Sequence, residues 1–213
     1  MEDRVHAAIS DGSRLGIMGG TFDPIHYGHL VAAETARTEF RLDNVLFIPT
    51  GIPPHKVSRH IADAELRYTM VELAIKDNAN FKVSRIEIKR QGPSYTSVTL
   101  RELHHIFPEQ ELFFITGADA LKDILTWRDA DEIIRTTNII GATRPGYDAS
   151  GFLEELYVRF PFAQSKIFQM EIPALAISST DIHFRLENNK SIRYLLPEEV
   201  RSFIMNNNIY RDK

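Results

Sequence analysis

A short segment rich in glycine and histidine has the residue types that phosphate binding needs. Positions 19–29 read GGTFDPIHYGH after a short apolar run. Two glycines let backbone N–H groups approach a ligand without interference from a Cβ. His26 and His29 lie three residues apart at a predicted helix start, so their imidazoles can converge where the helix dipole favours an anion. Neutral or protonated, they could stabilise a triphosphate as charge develops on a departing pyrophosphate.

Two simpler interpretations of this segment must be weighed against phosphate binding. One is a glycine turn followed by two surface histidines. The other is a His-x-x-His metal pair, for which the sequence offers no third ligand at a suitable spacing. Because the full string follows a predicted strand and opens a predicted helix, we favour the phosphate interpretation.

Alternating strand and helix patterns must position these residues. The apolar periodicity predicts strands at 15–18, 44–49, 81–87, 111–116, 138–142 and 167–170. It predicts helices at 28–39, after Asp63, and at 96–105, 118–125, 129–135, 151–160, 179–187 and 197–206. This alternation indicates an α/β protein with a Rossmann-like, doubly wound parallel sheet, which binds ligands at the carboxyl ends of its strands. We expect one domain over 1–213, with the core at 14–170 and a helical C-terminal part at 171–213.

Composition narrows the class of protein further. The chain has 213 residues, enough for one sizeable core, and a formal charge of -4, which argues against coating nucleic acid. It has no cysteine, so disulfides and thiolate metal sites are excluded. Positions 1–13 lack the apolar centre of a signal peptide, and no run of about 18 apolar residues occurs. We therefore expect a cytoplasmic protein without membrane or nucleic-acid partners.

The motif His26-Tyr27-Gly28-His29 resembles the His-x-Gly-His motif of the nucleotidyltransferase superfamily. The longer string is similar to that of the nicotinate mononucleotide adenylyltransferase family, and the resemblance extends from about residue 14 to 206. It implies that AMP is transferred from ATP to nicotinate mononucleotide, giving deamido-NAD and pyrophosphate in NAD biosynthesis. The acceptor is already an ionised phosphate, so no general base is needed. Catalysis would come from positioning and from charge stabilisation by His26, His29 and Mg²⁺ carried on the ATP phosphates.

The ATP contacts implied by the resemblance come from three segments. Segment 177–180, ISST, resembles the family's second nucleotide motif, Ile-Ser-Ser-Thr-x-x-Arg, but residue 183 is a histidine. A histidine is shorter than arginine and only partly charged at neutral pH, so either His183 makes a weaker contact or Arg185 or Arg193 supplies the cation. The predicted ATP-binding residues are Gly19, Gly20, Thr21, Phe22, His26, His29, Gly117, Asp119, Ile177, Ser178, Ser179, Thr180 and Arg185.

Four residues are the predicted contacts to the mononucleotide. The resemblance implies that Lys56, in a proline-rich loop, and Arg144, after a strand, lie near phosphates, while Thr96 reads the nicotinate carboxylate and Trp127 stacks on the pyridine ring. Without the resemblance, Thr96 is an ordinary helix cap and Trp127 an ordinary core residue. Arg128 follows the tryptophan where an aromatic residue is expected, and its role stays open.

Two rival functions remain compatible with the sequence. The first is transfer to another acceptor, such as nicotinamide mononucleotide, phosphopantetheine or a phosphorylated alcohol; the 117–119 segment and Trp127 argue against the last two. The second is a non-catalytic nucleotide-binding sensor, which the intact His26 and His29 argue against. The resemblance also allows self-association, but no exposed apolar stripe in the sequence identifies an interface.

Overall fold

The computed structural model describes residues 13–53 and 61–210. Its centre is a six-stranded sheet in which all neighbouring strands are parallel, in the order β3-β2-β1-β4-β5-β6. The strands are β1 (Arg14–Gly20), β2 (Asn44–Pro49), β3 (Phe81–Val83), β4 (Glu111–Gly117), β5 (Asn138–Thr143) and β6 (Ile167–Glu171). The predicted doubly wound α/β architecture is therefore confirmed.

Nine α-helices occur in the described part of the chain. They are α1 (Tyr27–Glu39), α2 (Ala64–Ile75), α3 (Ile86–Lys89), α4 (Thr96–Ile106), α5 (Ala118–Lys122), α6 (Ala130–Thr136), α7 (Ser150–Arg159), α8 (Ser179–Glu187) and α9 (Glu198–Asn206). Two 3₁₀ segments, Asp123–Thr126 and Pro161–Ser165, follow α5 and α7. None of these helices has the length and apolar character needed to cross a membrane.

The sheet separates two hydrophobic cores, because successive side chains of a strand point to opposite faces. In β2, Val45 and Phe47 belong to the core that α1, α2 and the C-terminal helices cover. Leu46 and Ile48 belong to the other core, with residues of α4, α6 and α7. Both faces of the sheet are thus buried, which explains why its central strands are continuous apolar runs.

Two predicted elements differ from the structure. The strand predicted at 81–87 ends at Val83, and α3 begins at Ile86. Ser84 makes the break, since its Oγ accepts a hydrogen bond from the Ile86 N–H at 3.2 Å, an alternative to strand pairing. The helix predicted at 118–125 instead divides into α5 and a 3₁₀ turn at Asp123.

The strand order reverses at the centre of the sheet. β1 pairs with β2 on one side and with β4 on the other, and the chain passes from β3 back across the sheet to reach β4. The loops after β1 and β4 therefore diverge at the carboxyl edge. In open α/β sheets a ligand site is expected at this point.

Candidate active site

A cavity of about 800 Å³ opens at the carboxyl edge of β1, β2 and β4. Of the predicted site residues, Gly19, Gly20, Thr21, Thr96 and Trp127 line it. The rest of its wall consists of Ile48, Thr50, Pro53, Glu87, Ser94, Tyr95, Thr99, Leu100, Phe114, Thr116, Asp123, Thr126 and Arg128. Its volume is in the range of a typical small-molecule site.

The two histidines lie together at the start of α1. Their rings stack with centroids 3.8 Å apart. The main-chain N–H of His26 donates a hydrogen bond to the ring Nδ1 of His29 at 3.2 Å. Because His29 Nδ1 accepts this bond, a neutral His29 carries its proton on Nε2. His26 is only 7% exposed, and burial lowers its pKa to about 4. His26 is therefore a neutral imidazole at neutral pH. The sequence left open whether the histidines are neutral or protonated, and burial decides this for His26.

The neighbouring residues leave little space around these rings. A Cβ at Gly28 would lie 3.0 Å from Cε1 and Nδ1 of His26. The ring of Phe22 is buried and meets the ring of His29 edge-on at 5.1 Å. Phe22 thus supports His29 from the core side, and contact of Phe22 with ATP stays a prediction.

The second predicted nucleotide motif lies beside the first, although they are about 150 residues apart in sequence. The Ser179 hydroxyl donates to the Pro24 carbonyl at 3.0 Å, and a Cβ at Gly28 would lie 3.7 Å from the Ile177 carbonyl oxygen. Ser178 caps α8, its Oγ accepting from the Asp181 N–H at 3.1 Å. Two helix starts, α1 and α8, therefore lie next to each other, and each is a place that favours an anion.

The cations near the second motif have protein partners. The Nε of Arg185 donates to Oδ2 of Asp181 at 2.6 Å on the surface of α8. His183 Nε2 lies 2.9 Å from the carbonyl oxygen of Asp23. Burial opposes ionisation of Asp23, but hydrogen bonds from His183 and Tyr210 outweigh it and lower the Asp23 pKa.

On the other side of the cavity, Thr96 begins α4 and Trp127 is half-buried. The Trp127 ring meets Phe114 edge-on, with centroids 5.9 Å apart, so one part of the indole is anchored in the core. The Arg128 guanidinium lies 4.9 Å from the centroid of the Tyr95 ring. This arrangement gives the cavity an aromatic wall that could receive a flat ring.

Other predicted contacts lie outside the cavity wall. Gly117 and Asp119 are exposed at the junction of β4 and α5, and Arg144 is exposed just after β5. Thr180 is exposed in the first turn of α8. Lys56 falls outside the residues that the structure describes. Their proposed contacts to substrates remain predictions.

Sequence reasoning missed a buried glutamate in the cavity wall. Glu87 is 7% exposed, and its Oε1 accepts a hydrogen bond from the Thr99 hydroxyl at 2.6 Å. Burial raises the pKa of Glu87. A Cβ at Gly51 would overlap the main-chain carbonyl oxygen of Glu87, and the Gly51 N–H donates to Ser94 Oγ at 3.1 Å. The signal in the sequence is an acid between two apolar residues, Ile86 and Ile88, at the end of the strand predicted at 81–87.

A buried arginine, also missed, joins the loops that follow β1 and β2. Arg67, on α2, is 1% exposed. Its guanidinium donates to the carbonyl oxygens of Thr21 at 2.8 Å, of Ala62 at 2.9 Å and of Gly51 at 3.3 Å. Burial lowers the Arg67 pKa, while the Asp23 carboxylate opposes this shift. Arg67 therefore stabilises two edges of the cavity through main-chain carbonyls.

A cytidylyltransferase-like family model matches residues 17–185. A protein of Desulfitobacterium hafniense (strain Y51) named probable nicotinate-nucleotide adenylyltransferase is 55% identical over 93% of this chain and 96% of its own length. A protein of the same name from Moorella thermoacetica is 53% identical over 96% of this chain and 95% of its own length.

The fold is also shared with solved structures. Nicotinic acid mononucleotide adenylyltransferase of Plasmodium falciparum, complexed with NaAD, superposes with a TM-score of 0.77 at 18% identity, covering 93% of this chain and 97% of that one. A Vibrio parahaemolyticus structure described as a putative nicotinate-nucleotide adenylyltransferase gives a TM-score of 0.66 at 22% identity, covering 94% of this chain and 97% of that one. At these identities the likeness concerns the fold, and it agrees with the predicted nucleotidyltransferase architecture.

Proposed function

Since the chain belongs to the cytidylyltransferase-like family, we propose that it is a nicotinate-nucleotide adenylyltransferase, which transfers AMP from ATP to nicotinate mononucleotide. The products are deamido-NAD and pyrophosphate, and the reaction belongs to NAD biosynthesis. The observation that carries this proposal is the arrangement of the site. The two histidines lie at paired helix starts, and they adjoin the loop after β1 that forms one edge of the cavity.

We propose that the triphosphate lies along the starts of α1 and α8. The backbone N–H groups of Gly19 and Gly20, the hydroxyls of segment 178–180 and the two imidazoles would receive its oxygens, with Gly117, Asp119 and Arg185 at the margin. Burial lowers the pKa of His26 to about 4, so we propose that it acts through an oriented imidazole dipole rather than a full charge. Preorganised donors of this kind act on the charge that develops as pyrophosphate leaves.

We propose that the mononucleotide fills the aromatic side of the cavity. Trp127 would stack on the pyridine ring, and Thr96 at the start of α4 would receive the carboxylate. Lys56 and Arg144 are the proposed phosphate contacts. Because the acceptor phosphate is already an anion, the protein's task is to hold it in line with the α-phosphorus of ATP.

We further propose that ATP brings Mg²⁺ on its own phosphates. Enzymes that adenylylate with ATP generally use a divalent metal, and the resemblance implies that the ion is carried by the ATP phosphates. Bound to the phosphates, the ion would offset the charge of the leaving pyrophosphate.

A cytoplasmic location and one domain over 1–213 complete the proposal. Self-association, which the family resemblance allows, is tested by sedimentation velocity.

Pyrophosphate release on mixing the protein with ATP, Mg²⁺ and nicotinate mononucleotide tests the function. We expect release with the acid mononucleotide and much less with the amide, nicotinamide mononucleotide. Equal rates would remove the nicotinate preference. No release from a folded sample that binds ATP would favour a nucleotide sensor.

The role of His29 is tested in the same assay. We expect His29→Ala to lower kcat by about 100-fold, the usual effect of losing one preorganised donor to a developing negative charge. His105→Gln, which changes an exposed histidine on α4, is the matched control. Turnover of the His29 variant near that of the parent would show that the assigned role is wrong.

A further inference from the structure

His183 occupies the position where the resembling family has an arginine, and its contacts point toward the protein rather than toward a ligand. Its Nε2 lies 2.9 Å from the carbonyl oxygen of Asp23 and 3.5 Å from Oδ2 of the same residue. A carbonyl oxygen can only accept, so Nε2 carries a proton and donates it there. One face of the ring packs against Tyr210, with centroids 4.2 Å apart.

Asp23, to which His183 donates, also accepts hydrogen bonds from two other segments of the chain. Its Oδ1 accepts a hydrogen bond from the Tyr210 hydroxyl at 2.6 Å and another from the Ala62 N–H at 3.1 Å. Asp23 is thus tied to the start of α2, to α8 and to the C-terminal segment after α9. Tyr210 is 187 residues away in sequence.

The C-terminal segment is itself fixed to the core. Ile209, next to Tyr210, is buried in the same hydrophobic cluster as Ile25, Ile182 and Ile204. Ile25 lies between Asp23 and His26, so the C-terminal segment and the loop that leads to the site histidine contribute to the same hydrophobic cluster. The Ser179 hydroxyl adds a second tie to this loop through the Pro24 carbonyl.

We propose that His183 and Tyr210 are positioning residues that clamp Asp23, and with it the loop leading to His26, in the conformation that binds the triphosphate. His183 acts through Asp23 and makes no contact with phosphate, so the C-terminal segment is a required part of the nucleotide site. This inference rests on the proposed function, because it takes the loop before α1 to be the triphosphate site. This positioning role differs from the role of the arginine in the family's second nucleotide motif, where the side chain is expected to bind the nucleotide itself.

A double-mutant cycle with the full-length chain tests the clamp. The dissociation constant of Mg-ATP is measured by titration calorimetry, without acceptor, for the parent, His183→Ala, Tyr210→Phe and the double variant. We expect each single change to weaken binding about fivefold to tenfold, and the double variant to be at most about twofold weaker than the worse single one. The KM for nicotinate mononucleotide should stay within about twofold. Tyr194→Phe, which removes an exposed hydroxyl, is the matched control.

The variant His183→Gln tests the hydrogen bond to Asp23 itself. It keeps an N–H donor for the Asp23 carbonyl and should retain most of the affinity for ATP. A loss of affinity as large as that of His183→Ala would overturn the proposal. Parent-like binding by Tyr210→Phe would overturn it as well, because the clamp needs both side chains.

Amide hydrogen exchange gives a readout that does not depend on activity. The Ala62 N–H donates to Asp23, so its exchange should accelerate in both single variants and remain parent-like in Tyr194→Phe. Unchanged exchange in both variants would overturn the clamp. A parent protein that binds ATP but releases no pyrophosphate would instead contradict the proposed function and leave the clamp tested by affinity and exchange.

Discussion

Replacing His26 by glutamine should remove a specific part of the acid sensitivity of the fold. His26 is 7% exposed, and in the part of the chain that is described its Nδ1 has no hydrogen-bond partner. Burial lowers its pKa from 6.5 to about 4. Below pH 6.5 the unfolded chain therefore takes up a proton that the folded protein does not. By linkage, the free energy of unfolding falls as the pH is lowered through this window.

The size of the effect follows from the two pKa values. A shift from 6.5 to about 4 corresponds to a full effect of about 3 kcal/mol once the pH is below both values. Between pH 7.5 and roughly pH 4.5, about 2.5 kcal/mol of it should already be lost. For a domain of ordinary stability this is a substantial fraction of the total.

Urea unfolding followed by far-UV circular dichroism at about pH 7.5, 6.0 and 4.5 measures this contribution. The free energy of unfolding of the parent should fall by about 2.5 kcal/mol more than that of His26→Gln over that range, because glutamine does not titrate. Groups such as Asp23 and His183 titrate in both proteins, so their contributions cancel in the difference. His105→Gln controls for the loss of one histidine. Parallel curves for the parent and His26→Gln would refute the conclusion that His26 is held neutral by burial.

Three further changes test other parts of the site. Trp127→Ala should raise the KM for nicotinate mononucleotide by at least about tenfold, because a stacked ring is lost, and should affect the KM for ATP much less. Equal changes in both KM values would argue against stacking. Gly51→Ala should lower the free energy of unfolding by about 2 kcal/mol or more, since its Cβ would overlap the Glu87 carbonyl. Gly151→Ala, which has open space around its Cβ, should not. Similar free energies for the two variants in urea unfolding would contradict this. Glu87→Ala should lower the free energy of unfolding by about 1–3 kcal/mol, because the Thr99 hydroxyl loses its acceptor. A change as small as that of the exposed control Glu109→Ala would contradict this.

Much of the fold could be predicted because its signals are local. The apolar run at 111–116 predicted β4, and periodic apolar residues predicted α1, α4 and α8 to within a few residues. The strand predicted at 81–87 is wrong beyond Val83, because the hydrogen bond from the Ile86 N–H to Ser84 ends the strand. Where a short side-chain contact competes with strand pairing, hydrophobic pattern alone cannot decide between them.

The glycine–histidine string, by itself, determined the class of chemistry that we predicted and the end of the sheet at which we propose that it occurs. Only the tertiary structure decided that His26 is neutral, since its pKa depends on burial in the folded chain. The structure likewise revealed Glu87 in the cavity wall and joined His183 and Tyr210 to Asp23. Backbone preferences act over a few residues and can be read from the sequence, whereas these contacts join positions up to 187 residues apart and exist only once the chain has folded.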